Sequence, residues 1–178
     1  LNACDRTTWT GRRDYALLAL AIQTGLRISE MTGLNCGDLR LGSPAAHVHC
    51  LGKGRKERIT PLLPSTIAVL EVWCDERQGG PLDPLFPTST GRPLSRDAVE
   101  RRISLYVSKA TVECQSLKPK RVSAHTFRHT AAMRLLLSGV DITVIALWLG
   151  HEQVSTTQIY EHADMTQKER AIAKVTPP

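Results

Sequence analysis

The chain has 178 residues, of which 42% are apolar, and this proportion is ordinary for one well-packed globular domain. Its 23 lysines and arginines outnumber its 17 aspartates and glutamates and give a net charge of +6, so its surface should attract polyanions, above all nucleic acid. No apolar run approaches the roughly 18 residues of a membrane span, and the first residues lack the apolar core of a signal peptide, so we expect a cytoplasmic protein with no membrane partner.

The first third of the chain predicts two helices and a hairpin. Residues 12–23, RRDYALLALAIQ, are too continuously apolar for an exposed helix, so we expect a largely buried helix that Gly25 ends in the left-handed conformation. Residues 27–34 predict a second, short helix. Residues 45–62 alternate on either side of a basic turn that contains glycine, which is typical of a β-hairpin, with Lys53 at its tip.

The remainder predicts five helices, the last of them weak, at residues 64–78, 95–110, 125–138, 142–149 and 166–174. Ser95, Ser123 and Asp141 are suited to cap three of these helices at their N-termini, and Gly139 and Gly150 to end two of them. We therefore predict a mainly α protein with a small antiparallel β-sheet, of class α+β, as a single domain over residues 1–178. The sequence contains no internal repeat.

The five cysteines are odd in number, widely spaced and form no CxxC pair. Neither a disulfide framework nor a zinc site is indicated, so we expect reduced, structural thiols. The sequence also lacks a P-loop, an HExxH motif and a cluster of acidic residues that would hold two metal ions. No metal and no cofactor are therefore expected.

His125 and Arg128 are three residues apart in the first turn of a predicted helix, so their side chains project from one face and could contact one ligand. For an isolated HxxR pair, a capping histidine beside a surface arginine is the commoner explanation. His129 points about 100° away around the helix, and we assign it to packing.

Several basic residues could contact phosphate. Arg27 follows the first buried helix and could emerge into a cleft, although by itself it is equally a surface or ion-paired residue. Lys53 at the hairpin tip could reach a leaving oxygen or could simply be solvated. We expect further contacts to DNA from the hairpin and from the basic loop before residue 125, namely from Arg55, Lys56, Arg58, Lys118, Lys120 and Arg121.

The last candidates lie near the C-terminus. His151 follows the helix end at Gly150, and Tyr160 lies nine positions later on a short segment, so the tether keeps both near one site. Tyr15 and Tyr106 fall within apolar helical patterns and are expected in the core. Tyr160 alone has polar neighbours on both sides.

Taken in order, the segments TGLRISE, LGKGRKERITPL, HTFRHTAA and LGHEQVSTTQIYEHA closely resemble the catalytic domain of the tyrosine recombinases, the phage integrase and Xer-like family. The resemblance runs from about residue 14 to residue 165. It implies the DNA breaking-rejoining fold and the activity of a site-specific recombinase or integrase. Two departures, Phe127 where the family often has leucine and the bulky Trp148, are apolar and leave the chemistry intact.

The resemblance implies a role for each matching residue. The catalytic set is Arg27, Lys53, His125, Arg128, His151 and Tyr160. Arg27, Arg128 and His151 would hold the phosphate, and His125 would accept or relay the proton of Tyr160, the nucleophile. Lys53 would protonate the departing 5′ oxygen. The expected product is a 3′-phosphotyrosyl link, formed without metal or ATP.

Three other interpretations stay open at this stage. A metal-dependent phosphoesterase would use His125, Asp141 and His151, although the carboxylates are scattered. A non-catalytic DNA-binding regulator derived from an integrase is argued against by the intact set of six residues. A relaxing enzyme like a type IB topoisomerase would share the chemistry but exchange no strands.

The resemblance also implies partners. Family members carry an N-terminal core-DNA-binding domain, for which there is no room before residue 14, so we expect a fragment that binds double-stranded DNA weakly. Residues 166–178 form a tail that either docks on a neighbouring protomer or packs on its own domain. We expect a monomer when free, and a tetramer on DNA for the complete protein.

Overall fold

The computed structural model describes residues 1–42, 45–52 and 57–150. Six α-helices lie in this part of the chain: α1 (Trp9–Thr24), α2 (Ile28–Thr32), α3 (Pro64–Arg77), α4 (Arg96–Glu113), α5 (Ala124–Leu137) and α6 (Ile142–Leu149). Three strands, β1 (Leu39–Arg40), β2 (His47–Leu51) and β3 (Glu57–Pro61), form an antiparallel sheet in the order β1-β2-β3. The predicted mainly α architecture with a small antiparallel sheet is confirmed, and β1 is an addition to the predicted hairpin.

Helix α1 is the centre of the fold. Ten of its residues are buried, and it packs against α3 on one side and α5 on another. Gly25 ends it with φ 63°, as predicted. The buried face of α1 forms the main core together with Trp73 of α3 and Ile103 of α4, whose side chains are 2% and 2% exposed.

The predicted helix caps are confirmed where the structure describes them. The Ser95 side chain accepts a hydrogen bond from the Ala98 amide at 3.1 Å and begins α4. Asp141 accepts from the Thr143 amide at 2.8 Å and begins α6, which Gly150 ends with φ 64°. Because these caps depend on neighbouring residues only, the sequence was sufficient to predict them.

Strand β3 points a charged side chain inward. Alternate residues of a strand face opposite sides of the sheet, and the burial pattern of β3 puts Arg58 and Thr60 inside and Ile59 outside, where it is 61% exposed. Arg58 pairs in register with Cys50 of β2. The alternation of side chains along β3 therefore directs Arg58 toward α2 and α6.

Two smaller findings complete the fold. All five cysteines are free, as expected. No helix in the described part of the chain is long and apolar enough to cross a bilayer. The hairpin turn at residues 53–56 and the predicted helix at residues 166–174 lie outside the described residues.

A buried polar network ties α4 to α1. Asp14, 1% exposed, pairs with Arg13 at 2.7 Å and with Arg102 at 3.0 Å. The Tyr106 hydroxyl donates to the second oxygen of Asp14 at 2.8 Å. Burial, reinforced by this hydrogen bond, raises the pKa of Tyr106, so its hydroxyl stays neutral and serves as a donor.

We predict that Tyr106→Phe lowers the free energy of unfolding by about 1.5–3 kcal/mol, the usual size of a hydrogen bond to a charged group. Tyr15→Phe is the matched control, since Tyr15 is half-buried and its hydroxyl has no hydrogen-bond partner among the described residues; it should change stability by less than about 0.5 kcal/mol. Urea denaturation of both variants measures the difference. Equal losses would contradict a structural role for the Tyr106 hydroxyl.

Candidate active site

One open cleft contains three of the six residues that the sequence predicts to be catalytic. Arg27, His125 and Arg128 line this cleft, which has a volume of about 330 Å³ and lies where α2, α4 and the start of α5 meet. His125 is exposed, whereas Arg128 is only 6% exposed. The i, i+3 spacing therefore directs both side chains into one space, as predicted.

Helix α5 begins at the floor of the cleft. The Thr126 hydroxyl oxygen accepts a hydrogen bond from the Ser123 amide at 3.1 Å and stabilises this first turn. The helix then turns Arg128 inward against α1. His129, assigned to packing in the sequence analysis, is exposed, and that prediction was wrong: the buried face of α5 runs through Arg128, Ala131 and Ala132 instead.

Arg128 joins two chain turns. Its Nη1 donates to the Gly25 carbonyl oxygen at 2.9 Å, and its Nη2 donates to the carbonyl oxygen of Leu149. A Cβ atom at Gly25 would lie 3.1 Å from Leu149 Cδ2 and 3.2 Å from Arg128 Cα. With its positive φ, Gly25 therefore meets both a conformational and a packing requirement beside the cleft.

Arg27 is held by a buried carboxylate. Glu30, 3% exposed, accepts from the Arg27 amide at 2.7 Å and from Arg27 Nη1 at 3.0 Å. The other arm of the guanidinium, Nη2, donates to the Gly150 carbonyl at 3.1 Å. These side-chain bonds leave further N–H groups on Arg27, whose side chain is 37% exposed to the cleft.

Arg58 is the second partner of Glu30. Its Nη2 lies 2.5 Å from Glu30 Oε2, and its Nη1 donates to the Trp148 carbonyl at 2.6 Å. A phosphate contact from Arg58 was predicted from the sequence, but the residue is 8% exposed and its two terminal nitrogens bind protein groups. Its geometry is that of a residue that positions Arg27 and the end of α6.

Glu30 is a residue of the site that was not predicted from the sequence. The available signal was its spacing: Glu30 stands three residues after Arg27 at the start of α2, where an acidic side chain can reach back to the amide of the cap residue. The pairing of Glu30 with Arg58, 28 residues away in sequence, had no local signal.

The remaining predicted residues lie in two groups. Lys118, Lys120 and Arg121 are exposed in the loop that precedes α5. The others, namely Lys53, Arg55, Lys56, His151 and Tyr160, lie outside the described residues, as does the tail 166–178. The described chain ends at Gly150, whose carbonyl bonds Arg27, so His151 is the next residue along the chain.

Asp141, the carboxylate of the metal-dependent alternative, does not line the cleft. It caps the N-terminus of α6, where the hydrogen bond from the Thr143 side chain, with those from backbone amides, lowers its pKa. The eight-residue helix separates it by about 12 Å, at about 1.5 Å per residue, from the end at Gly150. Within residues 1–42, 45–52 and 57–150, no group of histidine, cysteine and acidic side chains is arranged to hold a metal ion.

Comparison with known proteins gives a consistent result. The profile of the phage integrase family matches residues 1–167. The chain is 52% identical over 177 residues to y4rC of Sinorhizobium fredii, a protein named as an integrase/recombinase, and the match covers 99% of this chain and 53% of that protein. It is 40% identical over 154 residues to the tyrosine recombinase XerC of Xylella fastidiosa, covering 86% of this chain and 50% of XerC.

A solved structure agrees with these relatives. The fold superposes with a TM-score of 0.78 on the XerH site-specific recombinase bound to its palindromic difH substrate in a post-cleavage complex, at 25% identity over 97% of this chain and 49% of that chain. The chain thus spans about half the length of each of the three proteins. With the family profile matched over nearly its whole length, the chain belongs to the phage integrase family, the tyrosine recombinases, and has the fold of their catalytic domain.

Proposed function

We propose that this chain is the catalytic domain of a site-specific DNA recombinase that breaks and rejoins DNA strands through Tyr160, without metal or ATP. The observation that carries the proposal is the convergence of Arg27, His125 and Arg128 on one cleft, where Arg27 also bonds the Gly150 carbonyl. A DNA phosphodiester would occupy this cleft. The relatives named as recombinases and the DNA-bound XerH complex support the same assignment.

The chemistry requires donors fixed around a phosphate. Attack on a phosphodiester builds negative charge on its non-bridging oxygens, and preorganised cationic donors stabilise that charge in the transition state. Arg27 and Arg128 supply such donors, and His151 adds a third. Both arginines are already oriented by bonds to the protein, so little reorganisation is needed when the phosphate arrives.

In the proposed step one bond to phosphorus forms as another breaks, and one proton is accepted as another is donated. The Tyr160 oxygen forms a bond to phosphorus while the bond from phosphorus to the 5′ oxygen breaks. The tyrosine proton goes to His125, and the departing 5′ oxygen takes a proton from Lys53. A 3′-phosphotyrosyl link and a free 5′ hydroxyl result, and attack by a 5′ hydroxyl from another strand reverses the step.

The positions of the other two tyrosines support Tyr160 as the nucleophile. The Tyr106 hydroxyl is buried and bonded to Asp14, and burial raises its pKa. Tyr15 lies in a separate cleft, with the Arg6 guanidinium 4.7 Å above its ring. Neither can reach a phosphate held by Arg27 and Arg128.

The proposed partners follow from charge. Double-stranded DNA is the substrate, with phosphate contacts from the exposed Lys118, Lys120 and Arg121 and from Arg55 and Lys56. We propose that the catalytic domain is monomeric when free and that the complete protein, acting in the cytoplasm, assembles as a tetramer on DNA. The tail 166–178 would then contact a neighbouring protomer.

The first prediction from this proposed function concerns the nucleophile. Wild-type protein incubated with a nicked suicide duplex that bears its recombination site should form an adduct resistant to SDS, and Tyr160→Phe should abolish it because the attacking oxygen is gone. Tyr15→Phe is the control and should retain the adduct. An adduct in the Tyr160→Phe reaction would transfer the role to another residue.

A second prediction concerns the general acid. Lys53→Ala should slow cleavage by about 10²–10⁴-fold, the usual contribution of a proton donor. A 5′-phosphorothiolate duplex should restore the rate, because sulfur leaves without protonation. Lys56→Ala, the neighbouring control, should gain no such advantage. If the sulfur substrate does not rescue Lys53→Ala, Lys53 does not protonate the leaving oxygen.

A third prediction separates two roles for Arg58. Arg58→Lys keeps the charge but loses the fork that bonds Glu30 and Trp148 together. We expect cleavage at saturating DNA to slow by about tenfold to a hundredfold, as in other cases of misplaced groups, while the salt dependence of DNA binding is unchanged. Arg12→Lys, altering an exposed pair with Glu76, is the control. A fall of about one contact in the salt slope of Arg58→Ala, which removes the charge, would instead indicate a phosphate contact.

A further inference from the structure

We propose that Arg96 binds a second DNA phosphate, next to the one held by Arg27 and Arg128, so that the cleft grips two successive phosphates of the cleaved strand. This inference rests on the proposed function. Arg96 is the first residue of α4, is exposed and lines the same cleft as Arg27, His125 and Arg128. No role in the reaction depends on it otherwise.

Arg96 differs from the other two arginines of the cleft in its bonding. Arg27 and Arg128 are each tied to backbone carbonyls of the protein. The Arg96 guanidinium makes no hydrogen bond or ion pair with any described residue. Its donors are therefore not taken up by the part of the chain that the structure describes.

The position of Arg96 is not explained by the stability of α4. The N-terminus of a helix carries a partial positive charge, so a cation in the first turn is unfavourable there, whereas an anion is favourable. Asp97 supplies the favourable charge and Ser95 supplies the cap. A bound phosphate beside Arg96 would benefit from the guanidinium and from the helix end together.

Among the described residues, one acidic side chain, Glu100, lines the cleft with Arg27, Arg96 and Arg128. It stands one turn after Arg96, a spacing that allows an ion pair, but in the less favourable order for a helix, and no pair is formed. The described lining of the cleft thus includes three arginines and a histidine but one carboxylate. The balance favours an anion, and a phosphodiester is the anion that the neighbouring residues are proposed to hold.

The test measures binding separately from chemistry. In the Tyr160→Phe background, binding to a fluorescent duplex of about 30 base pairs is measured by anisotropy as a function of salt. Each phosphate contact contributes about 0.9 to the slope of log K against log salt, so Arg96→Ala should lower the slope by about one contact. Arg96→Lys should retain the slope, and Glu100→Gln should tighten binding.

The matched control is Arg101→Ala. Arg101 is exposed on the same helix but does not line the cleft, and its loss should leave the slope unchanged. An unchanged slope in Arg96→Ala would overturn the inference. An equal fall in both variants would overturn it as well, because the effect would then report net charge and not the cleft.

A second measurement locates the phosphate. A neutral methylphosphonate replaces, one position at a time, the phosphates flanking the cleavage point of the suicide duplex. When the phosphate adjacent to the cleavage point is replaced, the affinity of wild-type protein for the duplex should fall. The affinity of Arg96→Ala should not change on the same replacement. If wild-type protein forms the Tyr160 adduct but Arg96→Ala loses as much affinity as wild type on this replacement, only this inference fails. If wild type forms no adduct and binds no duplex, the proposed function fails with it.

Discussion

The C-terminal end of α6 is held by three arginines that come from three other elements. The last carbonyl groups of a helix have no partner within it and carry the negative end of its dipole. Here successive carbonyls of α6 and its cap residue accept bonds from Arg58, Arg128 and Arg27, in that order. The same bonds fix two of the proposed phosphate ligands, so the helix end and the cleft are built as one unit.

Glu30 compensates the charge of the two arginines that it bonds, Arg27 and Arg58. A guanidinium taken out of water is strongly destabilised unless a charge and hydrogen bonds compensate it. Glu30 is buried between Arg27 and Arg58 and bonds both. Arg58 uses the two terminal nitrogens of its planar fork, one for the carboxylate and one for the Trp148 carbonyl, a geometry that the single nitrogen of lysine does not reproduce. The geometry of the cleft thus depends on a buried carboxylate that does not line it.

The sequence predicted what depends on near neighbours. Ser95, Asp141, Gly25 and Gly150 cap their helices as expected, because a cap is set by residues within one turn. The convergence of His125 and Arg128 followed likewise from their spacing on one helix.

What the sequence did not predict depends on distant pairs. The burial of Arg58 follows from the parity of β3 and from partners on α2 and α6, none of which is near it in sequence. The sequence predicted a hairpin whose Arg58 contacts DNA, yet the second strand turns Ile59 outward and Arg58 inward. The prediction that His129 packs in the core was wrong for a related reason: the buried face of α5 is set by its contact with α1.

Among the described residues, the arginines of the cleft divide into two that are bonded to the protein, Arg27 and Arg128, and one that bonds no described residue, Arg96. This division matches two physical demands. Stabilising a transition state requires donors that are oriented before the charge develops, because reorienting them during the reaction would consume the gain. Arg27 and Arg128 meet this demand through their bonds to Gly150 and Gly25. Binding a long polyanion requires charge but little precision, since most of the affinity comes from the release of counterions. Arg96, which lines the cleft and bonds none of the residues that the structure describes, satisfies that second demand, while Arg27 and Arg128 satisfy the first.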